Sequence, residues 1–297
     1  MGVVIGFIIA TGCVLGSFYG MGGNLAAIWQ PYEFLIIGGV ALGAFFIANP
    51  MKVVIDTGHG ILQAIVGKVP GQADHLALLG LLYALIRELR AKPRNEVEGH
   101  FEQPDQSEIF AAFPSVLRDR ELTTFICDYA RLILIGNARP HEIEGLMDEE
   151  IATYRRDKLK VYTALMSVAD SLPALGIVAA VLGIVKAMGA LDQSPALLGS
   201  LIGAALIGTF SGIFVSYGVV GPVAHKVRSD REARGRAYVI VKQTLLAFMN
   251  GALPQIAIEY GRKAISAADR PTIDELENAT ISNGSRNDNA PREREAA

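Results

Sequence analysis

Apolar residues gather in four stretches of this chain, Val3–Tyr19, Phe34–Ala48, Leu172–Leu191 and Ala196–Val220, with most polar residues between them. No Asp, Glu, Lys or Arg occurs from Met1 to Tyr32 or from Gln193 to Ala224. A helix needs about 20 apolar residues to cross the hydrocarbon core. The pattern therefore predicts four spanning helices, the second of them short and dependent on tilt. The first is not read as a signal peptide, because no basic segment precedes it and a second apolar stretch follows almost at once.

Between the second and third stretches the pattern changes to a helical period. Leu78, Leu82, Leu85 and Leu89 share one face of Asp74–Lys92, and Pro93 stops that run. Pro104 and Pro114 bracket a short segment, Asp105–Phe113. A helix is predicted over Leu122–Ile135, and His141–Lys160 reads as a long charged helix leading back to the membrane. Val227–Asn250 reads as another, with Arg228, Arg231, Arg234 and Arg236 near the lipid headgroups. No stretch reads as strand-rich. The expected fold class is all-α: a polytopic integral membrane protein with four transmembrane helices and a large helical cytoplasmic insertion.

In sequence order this gives transmembrane helices 1 and 2 over residues 1–50 and a cytoplasmic helical loop over 51–170. Helices 3 and 4 follow over 171–224, then a cytoplasmic helical segment over 225–271 and a polar tail over 272–297, where disorder is expected. Lys and Arg set the orientation. The two short connectors lack them, whereas the long one carries Lys52, Lys68, Arg87, Arg90, Arg155 and Lys160 among others. The positive-inside rule then puts the insertion and both termini in the cytoplasm.

Charge and composition exclude more than they assign. Charged residues make up 19% of the chain, below the roughly 25% of soluble domains. Cys13 and Cys127 lie in different environments, so a disulfide is not expected. The five histidines have no metal-ligand spacing. No nucleophile–base set or phosphate-binding loop is visible, so the chain does not read as an enzyme. No cofactor and no nucleic-acid partner are expected.

Candidate chemistry centres on the third and fourth stretches. Asp170 and Pro173 stand where the third span is expected to begin, with Pro173 shaping its first turn. Pro222 stands at the cytoplasmic end of the fourth, so a proline pair falls on one side of the membrane, as a coupled hinge requires. Thr209, Ser211, Ser216 and Tyr217 offer hydroxyls, although such groups most often bond back to their own helix. No Asp or Glu falls mid-span: Glu33, Asp170 and Asp192 sit at expected boundaries, and Lys186 is the charge well inside. A proton path across lipid needs a titratable group, so a partner chain is expected to supply the carboxylate. Glycines one turn apart (Gly12, Gly16, Gly20; Gly39, Gly43; Gly208, Gly212) permit close helix approach. They serve packing within one subunit and an oligomer interface equally well.

Five blocks in order now carry a resemblance: SEIFAAFP (Ser107–Pro114), MDEEI (Met147–Ile151), DSLPALGIVAAVLG (Asp170–Gly183), GTFSGIFVSYG (Gly208–Gly218) and EYGRKAISAADRP (Glu259–Pro271). With the matching topology, the chain resembles the flagellar motor stator proteins of the MotA/TolQ/ExbB proton-channel superfamily, weakening only after about Glu275. The resemblance implies a bacterial inner-membrane subunit that forms a pentameric ring around a MotB-type single-span partner, whose Asp accepts the proton. It implies that ion flow turns the ring and that the loop pushes on the rotor's switch-complex protein through Arg90 and Glu98. It implies that Pro173 and Pro222, with Asp170, couple conformation, and that Thr209, Ala180 and Tyr217 line the channel. Sodium-driven relatives carry a hydroxyl where this chain has Ala180, which favours protons over sodium. An ExbB- or TolQ-like energiser of outer-membrane processes and a passive membrane scaffold stand as alternatives.

Overall fold

The computed structural model describes residues 2–67, 69–136 and 139–279, and within these residues no strand occurs. The chain opens with α1 (Gly2–Gly20), a single turn α2 (Leu25–Ile28), α3 (Pro31–Ala48) and α4 (Met51–Val66). Next come α5 (Gln72–Ala91), α6 (Arg94–Glu102), a 3-10 turn Pro104–Gln106, the short α7 (Glu108–Ala111) and α8 (Pro114–Leu117), and α9 (Arg120–Ile135). The 49-residue α10 (Pro140–Met188) follows. Then α11 (Pro195–Val215) runs through a π turn (Ser216–Val220) into α12 (Gly221–Met249), and α13 (Pro254–Lys263) comes after it. Among the described residues, four helical stretches are long and apolar enough to cross a membrane: Gly2–Gly20, Leu25–Ala48, Pro140–Met188 and Pro195–Met249.

Local chemistry sets the ends. The Ser194 hydroxyl accepts from the Leu197 N–H at 3.3 Å, and Pro195 fills the first position of α11, where a missing N–H costs nothing. The Asp119 carboxylate accepts from the Leu122 N–H and starts α9. Gly136 ends α9 in the left-handed region, φ 78°, which glycine enters without a Cβ penalty. Pro31 opens α3 at its first turn, so the second span has 18 helical residues, more than hydropathy alone assigns it.

Contacts divide the described residues into two compact units, those within 1–68 and 157–231 and those within 69–156 and 232–279. The division falls inside α10 and α12, so contact groups the residues differently from hydropathy. In the first unit, Ile37 and Ala41 of α3 pack with Leu172 and Ala179 of α10. A second cluster joins Ala64 of α4 to Val161, Leu165, Ala224 and Val227. The second unit holds the larger core, with Leu82, Phe101, Phe110, Phe125, Met147 and Ile240 all buried. Leucines 78, 82 and 85 face that core as their spacing requires.

Four features depart from expectation or add to it. Asp170 and Pro173 do not begin a helix; Pro173 lies inside α10, which is unbroken from residue 140. Lys186 is not mid-span but in the last turn of α10, where the partial negative charge of the helix end favours a cation. Arg231, read only as one of four arginines of its helix, is buried and paired with Asp56. The tail does not lose order at Thr272: residues 273–279 are helical, and Leu276 is buried in the core of the second unit. The disorder expected farther along falls on residues 280–297, outside those described. The sequence pattern also passed over α4, whose buried Thr57, Gly60 and Ala64 share one face.

His75 gives the second unit a pH dependence. Its ring is buried, and desolvation, aided by Arg236, lowers its pKa, against the opposing pull of Asp269 and Asp74. A histidine held below its ordinary value binds fewer protons folded than unfolded. Its stability contribution is therefore present above about pH 6.5 and is lost as the pH falls through the folded pKa. The thermal midpoint of the detergent-solubilised chain is expected to fall by about 2 °C more between roughly pH 7.5 and 5.5 in the wild type than in His75→Gln. Equal slopes in differential scanning fluorimetry would contradict this.

Candidate functional site

The geometry of interest lies where α10 and α11 meet. A Cβ added to Gly176 would lie 2.9 Å from the carbonyl oxygen of Gly208 and 3.2 Å from that of Thr209. One added to Gly212 would lie 2.6 Å from the Leu172 carbonyl and 2.9 Å from the Gly176 Cα. Backbone thus meets backbone along a seam of small residues. Gly208 and Gly212 therefore serve packing within the subunit. Around Gly12, Gly16, Gly20, Gly39 and Gly43 nothing described lies within 4 Å of an added Cβ.

Pro173 sits one turn from that seam. In an α-helix its N–H would donate to the Ala169 carbonyl, but proline has none, and its ring crowds that oxygen. The Ser216 hydroxyl instead donates to the Ala169 carbonyl at 2.6 Å, across 47 positions of sequence. Ser216 is 1% exposed. At its other end, the Ser216 carbonyl accepts from the Gly221 N–H, the longer bond that defines the π turn. Pro222, next in the chain, cannot donate to Gly218 in the α register, which gives the wider turn a local cause. The structure thus corrects one sequence-level expectation: the Ser216 hydroxyl bonds across to another helix, not back to its own.

Most of the candidate residues converge here. Asp170, Tyr217 and Pro222 line one cleft of about 280 Å³ together with Ser216 and His225. Tyr217 is 72% exposed and Asp170 is exposed. Pro222 also lines a separate, apolar cavity of about 530 Å³ between Phe7, Ile61, Leu165 and Val219. Thr209 is half-buried in the seam, and Ala180 is buried, its amide nitrogen 3.5 Å from the place a Gly208 Cβ would take. Glu33 was passed over as a boundary residue. Its Cγ lies 3.7 Å from that same place, and its Oε2 is buried without a hydrogen-bond partner among the described residues. Only the first-turn position of Glu33 in α3 hinted that its stem follows the helix inward.

Arg90 and Glu98 belong to the second unit. Arg90 is exposed in the last turn of α5, and Glu98 stands in α6 with an Arg94 Nη2–Glu98 Oε1 distance of 3.3 Å. Glu98 therefore pairs one turn back along its own helix. Lys92 holds Glu88 in the same way at 2.7 Å. The Cys127 thiol in α9 is pushed up to about 11 by burial, so it is not a nucleophile at neutral pH.

Spans joined through glycine, with hydroxyls, a freed carbonyl and prolines gathered at one seam, define a polytopic all-helical membrane protein of the channel-subunit class. Residues 118–237 match the MotA/TolQ/ExbB proton channel family, and residues 4–93 match the motility protein A N-terminal family. Motility protein A of Salmonella typhimurium is 40% identical over 275 residues, 93% of each chain. The chain therefore belongs to the motility protein A family, and its function is that of a flagellar motor stator subunit of the proton-channel type. In fold it is similar to C. jejuni MotAB (TM-score 0.73, 17% identity, 91% of this chain and 98% of that one). It is likewise similar to the flagellar MotAB stator complex from Bacillus subtilis (TM-score 0.70, 19% identity, the same shares).

Proposed function

We propose that this chain assembles as a pentameric ring around a MotB-type single-span partner in the bacterial inner membrane, with both termini cytoplasmic. Protons pass at the shared boundary, the partner's Asp accepts them, and each passage advances the ring. The observation that carries this reading is the seam itself. It places Thr209, Ala180, the freed Ala169 carbonyl and Ser216 on two helices held at backbone contact. A hydroxyl can pass a proton along and a carbonyl can accept its hydrogen bond, but neither holds the charge, which is why a carboxylate from the partner completes the path. Ala180 offers only a methyl group and so nothing to replace the hydration shell of sodium.

Arg90 and Glu98 make the rotor contact, with the switch-complex protein as partner. Arg90 is exposed and Glu98 half-buried, and accessible charges steer and register a transient partner. Pro173 and Pro222 with Asp170 couple ion passage to movement. One charge moved through 100 mV provides about 2.3 kcal/mol, comparable with exchanging one or two surface contacts.

The test is a deletion strain complemented by variants. Wild-type chain is expected to restore swimming, and a protonophore, not sodium withdrawal, to stop it. Pro173→Ala and Thr209→Ala are expected to lower torque several-fold while membrane levels stay normal. Untouched torque and ion flux in both variants would instead favour a passive scaffold. Normal swimming of the deletion strain with lost iron uptake would assign the chain to outer-membrane energising.

A further inference from the structure

We infer that Ser216 is a positioning residue that ties the carbonyl left open by Pro173 inside α10 to the π turn ahead of Pro222. The inference rests on the stator reading for its motility readout, but its geometry stands apart from that reading.

Ser216 is held at both ends. Its hydroxyl fills the acceptor that Pro173 leaves open on Ala169, and its carbonyl takes the Gly221 N–H that begins α12. Other hydroxyls of these helices behave differently. Thr163, Ser167, Ser171 and Ser200 all donate to carbonyls three or four residues back on their own helix. Ser216 reaches the carbonyl of another helix, and that carbonyl is the one a proline has orphaned. A buried carbonyl without a partner is costly, more so in lipid, where water cannot replace the donor.

The position of the π turn and the satisfaction of Ala169 are therefore one variable. If the extra residue of the turn moves along α11 by one place, the Ser216 side chain rotates by about 100° and leaves Ala169. If α10 bends further at Pro173, the Ala169 oxygen withdraws from Ser216. Movement at either proline reaches the other through this bond. Tyr217 and Pro222, which share the cleft with Ser216, are displaced with it.

The experiment uses the full chain co-expressed with its partner in native membranes, labelled with carbonyl-13C alanine and 15N aspartate. The sequence has three Ala–Asp pairs, Ala73–Asp74, Ala169–Asp170 and Ala268–Asp269, so this chain contributes three solid-state NMR cross-peaks, and the one lost in Asp170→Asn is that of Ala169. In Ser216→Ala the Ala169 signal is expected to move to lower 13C shift while the other two stay. In Pro173→Ala/Ser216→Ala the restored N–H at position 173 brings it back. Swimming of the Ser216→Ala strain is expected to slow about threefold at unchanged membrane amount, the size of a typical interhelical hydrogen bond in lipid.

An Ala169 signal that stays in place in Ser216→Ala overturns the inference. So does a displaced signal with wild-type swimming. If Ser216→Ala fails to accumulate, repair by Pro173→Ala supports the tie and lack of repair refutes it. A deletion strain that swims normally removes the stator reading and leaves the spectroscopic result to decide the rest.

Discussion

Gly212→Val is expected to abolish swimming and to remove most of the protein from the membrane fraction. The reason is that no side chain can yield. A Cβ at Gly212 meets the Leu172 carbonyl at 2.6 Å and the Gly176 Cα at 2.9 Å, both backbone. Overpacking a core costs about 1–3 kcal/mol when neighbouring side chains can shift. Here two helices must separate, so the effect falls at or beyond the upper end. Separation would also draw Ser216 away from Ala169. Gly212→Ala should show the same defect more mildly. Gly16→Val is the matched control, since nothing described lies within 4 Å of its Cβ within the chain, and it is expected to accumulate normally. Immunoblots of membranes with detergent gel filtration decide the matter; normal levels of Gly212→Val would show that the seam is looser than described.

Asp56→Ala is expected to destabilise the first unit by about 2 kcal/mol. Arg231 is 8% exposed at its side chain and meets Asp56 through two bonds, Nη1–Oδ2 at 3.0 Å and Nη2–Oδ1 at 2.8 Å. Stripping a buried charge of its partner costs about 3–5 kcal/mol. The Asp56 side chain is 40% exposed, so water screens part of the attraction and the cost falls below that range. Asp56→Ala/Arg231→Met, which removes the stranded charge, should regain most of the loss. A thermal unfolding series on the purified chain tests both, and an Asp56→Ala midpoint equal to wild type would mean that the pair is no more than a surface contact. Gly60 belongs to the same arrangement. A Cβ there would lie 3.3 Å from Arg231 Nη2 and 3.2 Å from Val161 Cγ1, so the glycine makes room for the guanidinium.

These two cases mark where the sequence speaks and where it is silent. Hydropathy revealed the spans because crossing lipid depends on summed apolar length, a property of consecutive residues. The insertion was legible for a similar reason: leucine spacing shows the face of α5, and Pro93 shows its end. The Arg231–Asp56 pair is silent in the sequence because the partners lie 175 positions apart, and nothing local distinguishes Arg231 from Arg228 or Arg234. Pro173 was read as a helix start because interior prolines usually break helices. The compensation, a hydroxyl on another helix, is invisible until the two helices are together. Among candidate site residues, Asp170, Tyr217 and Pro222 do meet in one cleft. The Arg94–Glu98 pair was open to recognition from its i,i+4 spacing, whereas Glu33 gave no sign beyond its place in a first turn.

The bareness of α1 bears on how the protein is made. No described residue of α1 is buried, and only Ile37 and Ala41 are buried in α3. The ribosome delivers these two helices more than a hundred residues before α11 exists. In that interval they have lipid and one another for company, and α1 suffers little from the wait because the finished chain buries no whole residue of it. Insertion of the first helix is decided by its own affinity for hydrocarbon. The later pair faces the harder task, since α10 and α11 must find a glycine-to-glycine fit that neither can prepare alone. Errors of biogenesis should therefore concentrate in the last third of synthesis, after half of the membrane anchor is already in place.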